Sequence, residues 1–232
     1  MGGGFRVDSS VNSLNIAIVG TATSSIHEAP WGRPDWRIWA VNSAYKYNED
    51  KALLVDLWFD MHHDPDKKHP LWFQWAVKTQ PDCVFLEKHP DLKNSRTFPK
   101  ESFAEEFGSY STSSIAYMLG LAISAEPATI GIYGVDMTGG GEYEYQRPCC
   151  EYFIGMARGK GIDVVVPEAS ALLKASWLYG YDATEPTSLN AKLREEMSVW
   201  RARAIHFERE YGNLLNPKRP KRGKGKHRAV FA

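Results

Sequence analysis

Between residues 130 and 167 the chain reads IGIYGVDMTGGGEYEYQRPCCEYFIGMARGKGIDVVVP. An apolar strand ends on a carboxylate, Asp136, and a glycine-rich loop, a helix and a second strand follow. In an open α/β sheet the ligand crevice lies beyond the carboxyl ends of the strands, so Asp136 and the segment 139–147 are expected to line a pocket for a small, phosphorylated molecule. Arg147 offers a forked contact to a phosphate or carboxylate, and Tyr143 and Tyr145 can stack on a base or a sugar. The competing assignment for Arg147 is an ion pair with Glu151 across one helical turn.

Four further groups have side chains suited to a ligand. The loop Gly20-Thr21-Ala22-Thr23-Ser24-Ser25 follows an apolar run, and its small residues let backbone amides and hydroxyls approach a phosphate. It has neither G-x-G-x-x-G nor a Walker lysine, which speaks against nicotinamide binding and P-loop chemistry. Asn42 ends a second apolar run; its amide either bonds a base or ribose or forms a turn. Ser111, Thr112, Ser113 and Ser114 precede a helix, where one or two of them serve as caps and the rest form a cradle for an anion. Asp60, His62, His63, Asp64, Asp66 and His69 supply enough carboxylate and imidazole for a general base, with His62 and His63 as its candidates, or for a metal. The Asp64-Pro65-Asp66 spacing also imitates the acidic pair that holds a cation in nucleotide-sugar transferases, or is a solvated turn.

These groups need a scaffold of alternating strands and helices. Strands are expected over 14–19, 37–41, the apolar run 52–59, 83–86, 130–133 and 163–166. Helices are expected over 70–79, 113–124 and from Pro148 to Gly159, with proline at the start, where its missing N–H is harmless. Residues 87–110 read as an excursion able to form a lid. A short helix is expected over 170–178. Beyond a YGYDATEPTS break, residues 188–210 carry Leu189, Leu193, Met197, Trp200, Ala204 and Phe207 on one helical stripe, which packs on the domain or pairs with a second subunit. The segments are thus a disordered start (1–13), a Rossmann-like domain (14–180), a C-terminal helix (181–212) and a flexible tail (213–232).

At 232 residues, 43% hydrophobic and 24% charged, the composition is that of a globular chain with one substantial core. Neither a membrane-length apolar run nor a secretory leader is evident, and three cysteines, two of them adjacent, do not make a disulfide framework. A cytoplasmic setting without membrane contact is expected. The zero net charge hides an asymmetry: Lys218, Arg219, Lys221, Arg222, Lys224, Lys226 and Arg228 lie in the last fifteen positions, leaving 21 basic against 28 acidic residues elsewhere. Such an arm either holds a nucleic-acid backbone, through Lys218, Arg219, Lys221, Arg222 and Lys224 in particular, or is a solvated terminus.

Taken in order, the Gly-x-x-x-Ser of Gly20 to Ser24, the strand ending in Asn42, Thr112-Ser113 before a helix and the Gly-x-Asp of Gly134 to Asp136 resemble the bacterial sialyltransferases that use a CMP-activated sugar. The resemblance spans roughly residues 14–178 and extends more loosely to the MptE-like pterin diphosphokinases. The stretch QRPCCEYFIGMARGKGI also looks like a motif of uncharacterised bacteriophage proteins. The resemblance implies that Gly20, Thr21, Ser24, Asn42, Thr112, Ser113 and Ser114 contact a nucleotide, with Tyr143 and Tyr145 near its phosphate. The sialyltransferases carry Gly-Asn-Gly-Pro-Ser in the first loop and a histidine base after the Gly-x-Asp strand. Here no histidine stands between Asp136 and Gly161, so the base is sought among His62, His63, Asp136, Glu142, Glu144 and Glu151.

The expected protein is therefore an α/β Rossmann-like three-layer sandwich with a mostly parallel sheet. It would bind a nucleotide sugar and transfer the glycosyl group to a hydroxyl, with a modified base of phage DNA as one acceptor. The alternatives are a non-catalytic nucleotide or nucleic-acid binder and a metal-dependent hydrolase or phosphotransferase. No resident cofactor is implied, and a divalent metal is the less favoured reading.

Overall fold

A strand whose residues are apolar on both sides must be covered on both faces. In β1 (Asn15–Val19), Ile16 and Ile18 pack into one core and Ala17 and Val19 into another. The same division runs through β2 (Trp36–Val41), β3 (Leu57–Asp60) and β4 (Cys83–Phe85): Trp39, Leu57, Phe59 and Val84 face the first core, and Ile38, Ala40, Trp58, Cys83 and Phe85 the second. With β5 (Ser95–Thr97), β6 (Thr129–Tyr133) and β7 (Asp163–Val165) these form a seven-stranded sheet in the order β5-β4-β3-β2-β1-β6-β7. Every pairing is parallel.

The computed structural model describes residues 14–174 together with Leu178, Gly180, Tyr181 and Met197. The sheet belongs to the first of two compact units, Met1–Lys174; the second is Ala175–Ala232. The expected disordered start (1–13), the basic arm and the helix over 188–210 with its subunit-pairing stripe fall outside the described residues, apart from Met197, which is helical. Among the described residues no helix is long and apolar enough to cross a membrane.

Short helices α1 (Glu49–Ala52) and α2 (Pro65–Lys68) precede α3 (Pro70–Thr79), whose Trp72, Phe73 and Ala76 fill the second core. On the other face lie α4 (Lys100–Phe107), α5 (Ser114–Ser124) and α6 (Tyr143–Gly159), with Phe103, Phe107, Met118, Leu119, Phe153 and Ile154 among their buried residues. The result is a three-layer, Rossmann-like α/β sandwich. The chain runs outward from β1 to β5 and then returns to the opposite side of β1 with β6. Strand order therefore reverses between β1 and β6, the place where such sheets open a crevice.

Four expectations about elements are corrected. The run 52–59 is not one strand: Ala52 belongs to α1, and β3 takes in only its end, from Leu57. Residues 87–110 are not a free lid: β5 pairs with β4, and Leu92, Phe98, Phe103 and Phe107 are buried. The segment 143–147 is not a loop, because α6 begins at Tyr143 and carries Pro148 in its interior. Its first turn is closed by Glu144 N–H to Gly141 O (3.3 Å) and Gln146 N–H to Glu142 O (3.1 Å), so the proline does not mark the helix start. Residues 170–174 form turns rather than the beginning of a helix, with Ser170 Oγ donating to Val135 O at 2.7 Å.

Cys83, Cys149 and Cys150 are free and fully buried. Burial pushes the Cys83 and Cys150 thiols up to about 12, so neither is a thiolate at neutral pH. Ellman's reagent at mildly alkaline pH is expected to find no reactive thiol in the folded chain and all three after denaturation. A stoichiometric reaction in the native state would restore a cysteine nucleophile to consideration.

Candidate functional site

Two loops meet at the strand-order switch. Gly20 N–H donates to Tyr133 O and Ala22 N–H to Gly134 O, each at 2.8 Å, while Gly134 N–H donates to Ser25 Oγ at 2.9 Å. The backbones approach so closely that a Cβ on Gly20 would lie 2.3 Å from Gly134 O, and Gly134 itself holds φ +64, a value that favours glycine. Gly20→Ala is accordingly expected to destabilise the domain by about 1–3 kcal/mol, because backbone rather than a movable side chain blocks the methyl group. Urea denaturation reads this directly, and an unchanged midpoint would show that the loops part freely.

Above this junction lies a cavity of ≈ 260 Å³. Residues 20–22 after β1, Val41 at the end of β2, Ile115 in the first turn of α5, residues 134–138 after β6 and Tyr143 at the start of α6 line it. Of the five groups singled out in the sequence, four reach this rim through a member or its chain neighbour, and residues 60–69 do not. Asp136 is the carboxylate of this lining and is half-buried. Its Oδ1 accepts from Ser24 Oγ (2.8 Å) and from Ala171 N–H (3.4 Å). The 11 residues of α5 begin at the same rim, so the positive end of that helix dipole favours an anion there.

Not every candidate side chain lines this cavity. Gly20, Thr21, Asp136 and Tyr143 do. Ser24 stands behind it, holding Asp136. Asn42 is buried, and its Oδ1 accepts from the N–H of its neighbour Ser43 at 2.5 Å. Thr112 Oγ1 donates to Tyr145 O at 3.0 Å, and Ser113 caps α5 by accepting from Ala116 N–H at 3.1 Å. Ser114 is the first residue of α5 and is half-buried, while Glu144 and Tyr145 are exposed on the first turn of α6. Arg147 is engaged within the fold: Nε donates to Glu151 at 2.9 Å, and Nη2 donates to Ala171 O at 2.8 Å and Lys174 O at 3.2 Å. The competing assignment of Arg147, an ion pair one helical turn long, is the one seen. Lys218, Arg219, Lys221, Arg222 and Lys224 lie outside the described residues.

Sequence reasoning missed Val41, Ile115, Val135 and Met137. Each adjoins a polar residue that attracted notice, and a lining made by apolar neighbours at strand ends has no signature of residue type.

A second cavity, ≈ 610 Å³, opens beyond β3 and β4. Residues 61–63, Pro65, residues 85–90, Phe98, Lys100 and Tyr117 line it, so His62 and His63 stand together on its wall. His63 is exposed; His62 is half-buried, with Nδ1 2.5 Å from Asp60 Oδ1. Of the six aspartates and histidines in that stretch, Asp64 and Asp66 are exposed and Asp64 pairs with Lys67 at 3.5 Å. Asp60, His62 and His69, in contrast, each present a potential ligand atom within 4.8 Å of the others. Burial, opposed by the Asp60 charge, holds His69 below the usual imidazole value.

No protein-family model matches the chain, and no curated protein matches it. Among solved structures it is similar to the apo form of an α-2,3-sialyltransferase from Campylobacter jejuni, at 14% identity and a TM-score of 0.45 over 82% of this chain and 96% of that one.

Proposed function

We propose that this protein binds an activated nucleotide, a nucleotide sugar, in the cavity over the β1/β6 switch and transfers the glycosyl group to a hydroxyl acceptor. The observation that carries the reading is the meeting of Asp136, the tight 20–22 loop and the start of α5 around one cavity. At ≈ 260 Å³ that cavity is just below the usual size of ligand sites, about 300–1,000 Å³, and suits the nucleotide head of the donor with the sugar projecting over the rim. The leaving phosphate would be held by the N-terminal turn of α5 and the small residues of the first loop, and Asp136 would accept the proton of the attacking hydroxyl. Catalysis of that kind depends on positioning and on fixed dipoles rather than on a covalent intermediate. For the acceptor we favour a hydroxylated base in DNA, held by the seven basic residues of the last fifteen.

The test is calorimetry with a panel of nucleotides and nucleotide sugars, followed by transfer assays on hydroxymethylated DNA and on sugar acceptors. Deleting residues 217–232 should weaken the DNA reaction and leave donor binding intact. Donor binding without transfer to any acceptor would favour a non-catalytic binder, and no binding at all would remove the proposal.

A further inference from the structure

Asp60 ends β3 with its side chain fully buried, and the cavity over the strand-order switch makes no use of it. Its Oδ1 accepts from His62 N–H at 3.2 Å and lies 2.5 Å from His62 Nδ1. Its Oδ2 is buried and has no hydrogen-bond partner. His69, between α2 and α3, repeats the pattern: Nδ1 lies 3.3 Å from Ser43 Oγ, whereas Nε2 is buried and unpartnered. The rings of His62 and His69 are 4.8 Å apart, centre to centre.

We infer that Asp60, His62 and His69 bind one divalent transition-metal ion of the zinc class. With His62 Nδ1 against Asp60 Oδ1, two buried atoms, Asp60 Oδ2 and His69 Nε2, are left with no hydrogen-bond partner, and one cation reached by all three residues would satisfy both. Two imidazoles and a carboxylate are the borderline donor set that suits zinc with a further position open, whereas magnesium and calcium seek oxygen alone. A metal on His69 Nε2 would leave Nδ1–H to donate to Ser43 Oγ, 3.3 Å away, the outer support that metal-bound histidines usually have. Lys46 and Lys68 oppose a cation here, but both are exposed and screened by water, while the Asp60 charge is buried. Since His62 also lines the ≈ 610 Å³ cavity, the open position of the ion would belong to that cavity's wall. The inference does not depend on the glycosyl-transfer reading.

The test uses the full-length, untagged chain stripped of metal with a chelator, then titrated with Zn²⁺ by calorimetry and with Co²⁺ by visible absorption. One equivalent is expected to bind, with the intense d–d bands of a low-coordinate Co²⁺ site. Asp60→Asn, His62→Gln and His69→Gln should each weaken binding by more than the about 10–100-fold that loss of an outer partner costs, and Ser43→Ala should fall within that range. His63→Gln, on an exposed neighbour, should change nothing. Thermal unfolding of each metal-free variant checks the fold; should Asp60→Asn not fold, the half-exposed His62→Gln decides. Absence of stoichiometric binding, binding indifferent to His62→Gln and His69→Gln, or equal damage from His63→Gln overturns the inference and leaves nucleotide binding in the other cavity untouched.

Discussion

Asp136→Asn is expected to lower glycosyl transfer by about 10²–10⁴-fold, the usual contribution of a positioned general base. The substitution is a clean one. An Asn oxygen can still accept from Ser24 Oγ and Ala171 N–H, so both bonds that anchor the side chain survive and the loop after β6 keeps its place. What disappears is the basic lone pair. The loss should therefore fall on kcat, with donor affinity measured by calorimetry essentially unchanged, because the proposed site would hold the nucleotide by the first loop and α5 rather than by Asp136. Transfer at the wild-type rate would place the base elsewhere, with His62 or His63 the next residues to replace. A fall in donor affinity equal to the fall in rate would make Asp136 a binding residue instead.

What could be read from the sequence follows a physical division. Buried parallel strands are short apolar runs with punctuated ends, so the runs leading to Val19, Val41 and Tyr133 locate β1, β2 and β6 without knowledge of any contact. The helix over 70–79 is legible because His69-Pro70 opens it and Trp72, Phe73 and Ala76 fall on one face. By contrast, β5 is three residues, Ser-Arg-Thr, placed by its pairing with β4 and by Ser95 and Thr97 side-chain bonds to residues 88–92, and no local preference announces it. The start of α6 was misplaced because the rule that puts proline in a first turn is a tendency, while Gly141 and Glu142 close the real first turn through backbone bonds. The site shows the same split. Segments that reach the rim are named by strand ends and glycines, but Asn42, Thr112 and Ser113 spend their polar groups on nearby backbone. Their apolar neighbours Val41 and Ile115 face the cavity instead. A polar residue at a helix start has a local use for its side chain, so type and position alone do not separate a cap from a ligand contact.

Phe103→Ala is expected to cost about 3–5 kcal/mol, the range for a fully buried aromatic, and it tests why residues 87–110 are anchored rather than mobile. The Phe103 ring packs against Phe98 (5.2 Å between centroids), Phe107 (5.0 Å), Tyr117 (5.3 Å) and Phe153 (6.0 Å), tying α4 to α5 and α6. It can do so because Gly120, inside α5, leaves room: a Cβ there would lie 2.3 Å from Phe103 Cε2. A mid-helix glycine sacrifices about 1 kcal/mol of helix propensity relative to alanine, so its presence implies a gain from the ring it admits. Gly120→Ala alone should therefore destabilise, the clash of about 1–3 kcal/mol outweighing the better propensity. In the Phe103→Ala background the sign should reverse. The new methyl group then enters the void, and the same Gly120→Ala change should recover about 1 kcal/mol. Denaturant melts of the two single variants and the double variant give the coupling energy, expected at the upper end of the about 0.5–3 kcal/mol seen for contacting residues. Additive effects would mean that Gly120 does not determine the seat of Phe103. In that case the wall of the larger cavity formed by Phe98 and Tyr117, both in contact with this ring, would owe its position to something other than the α4–α5 contact.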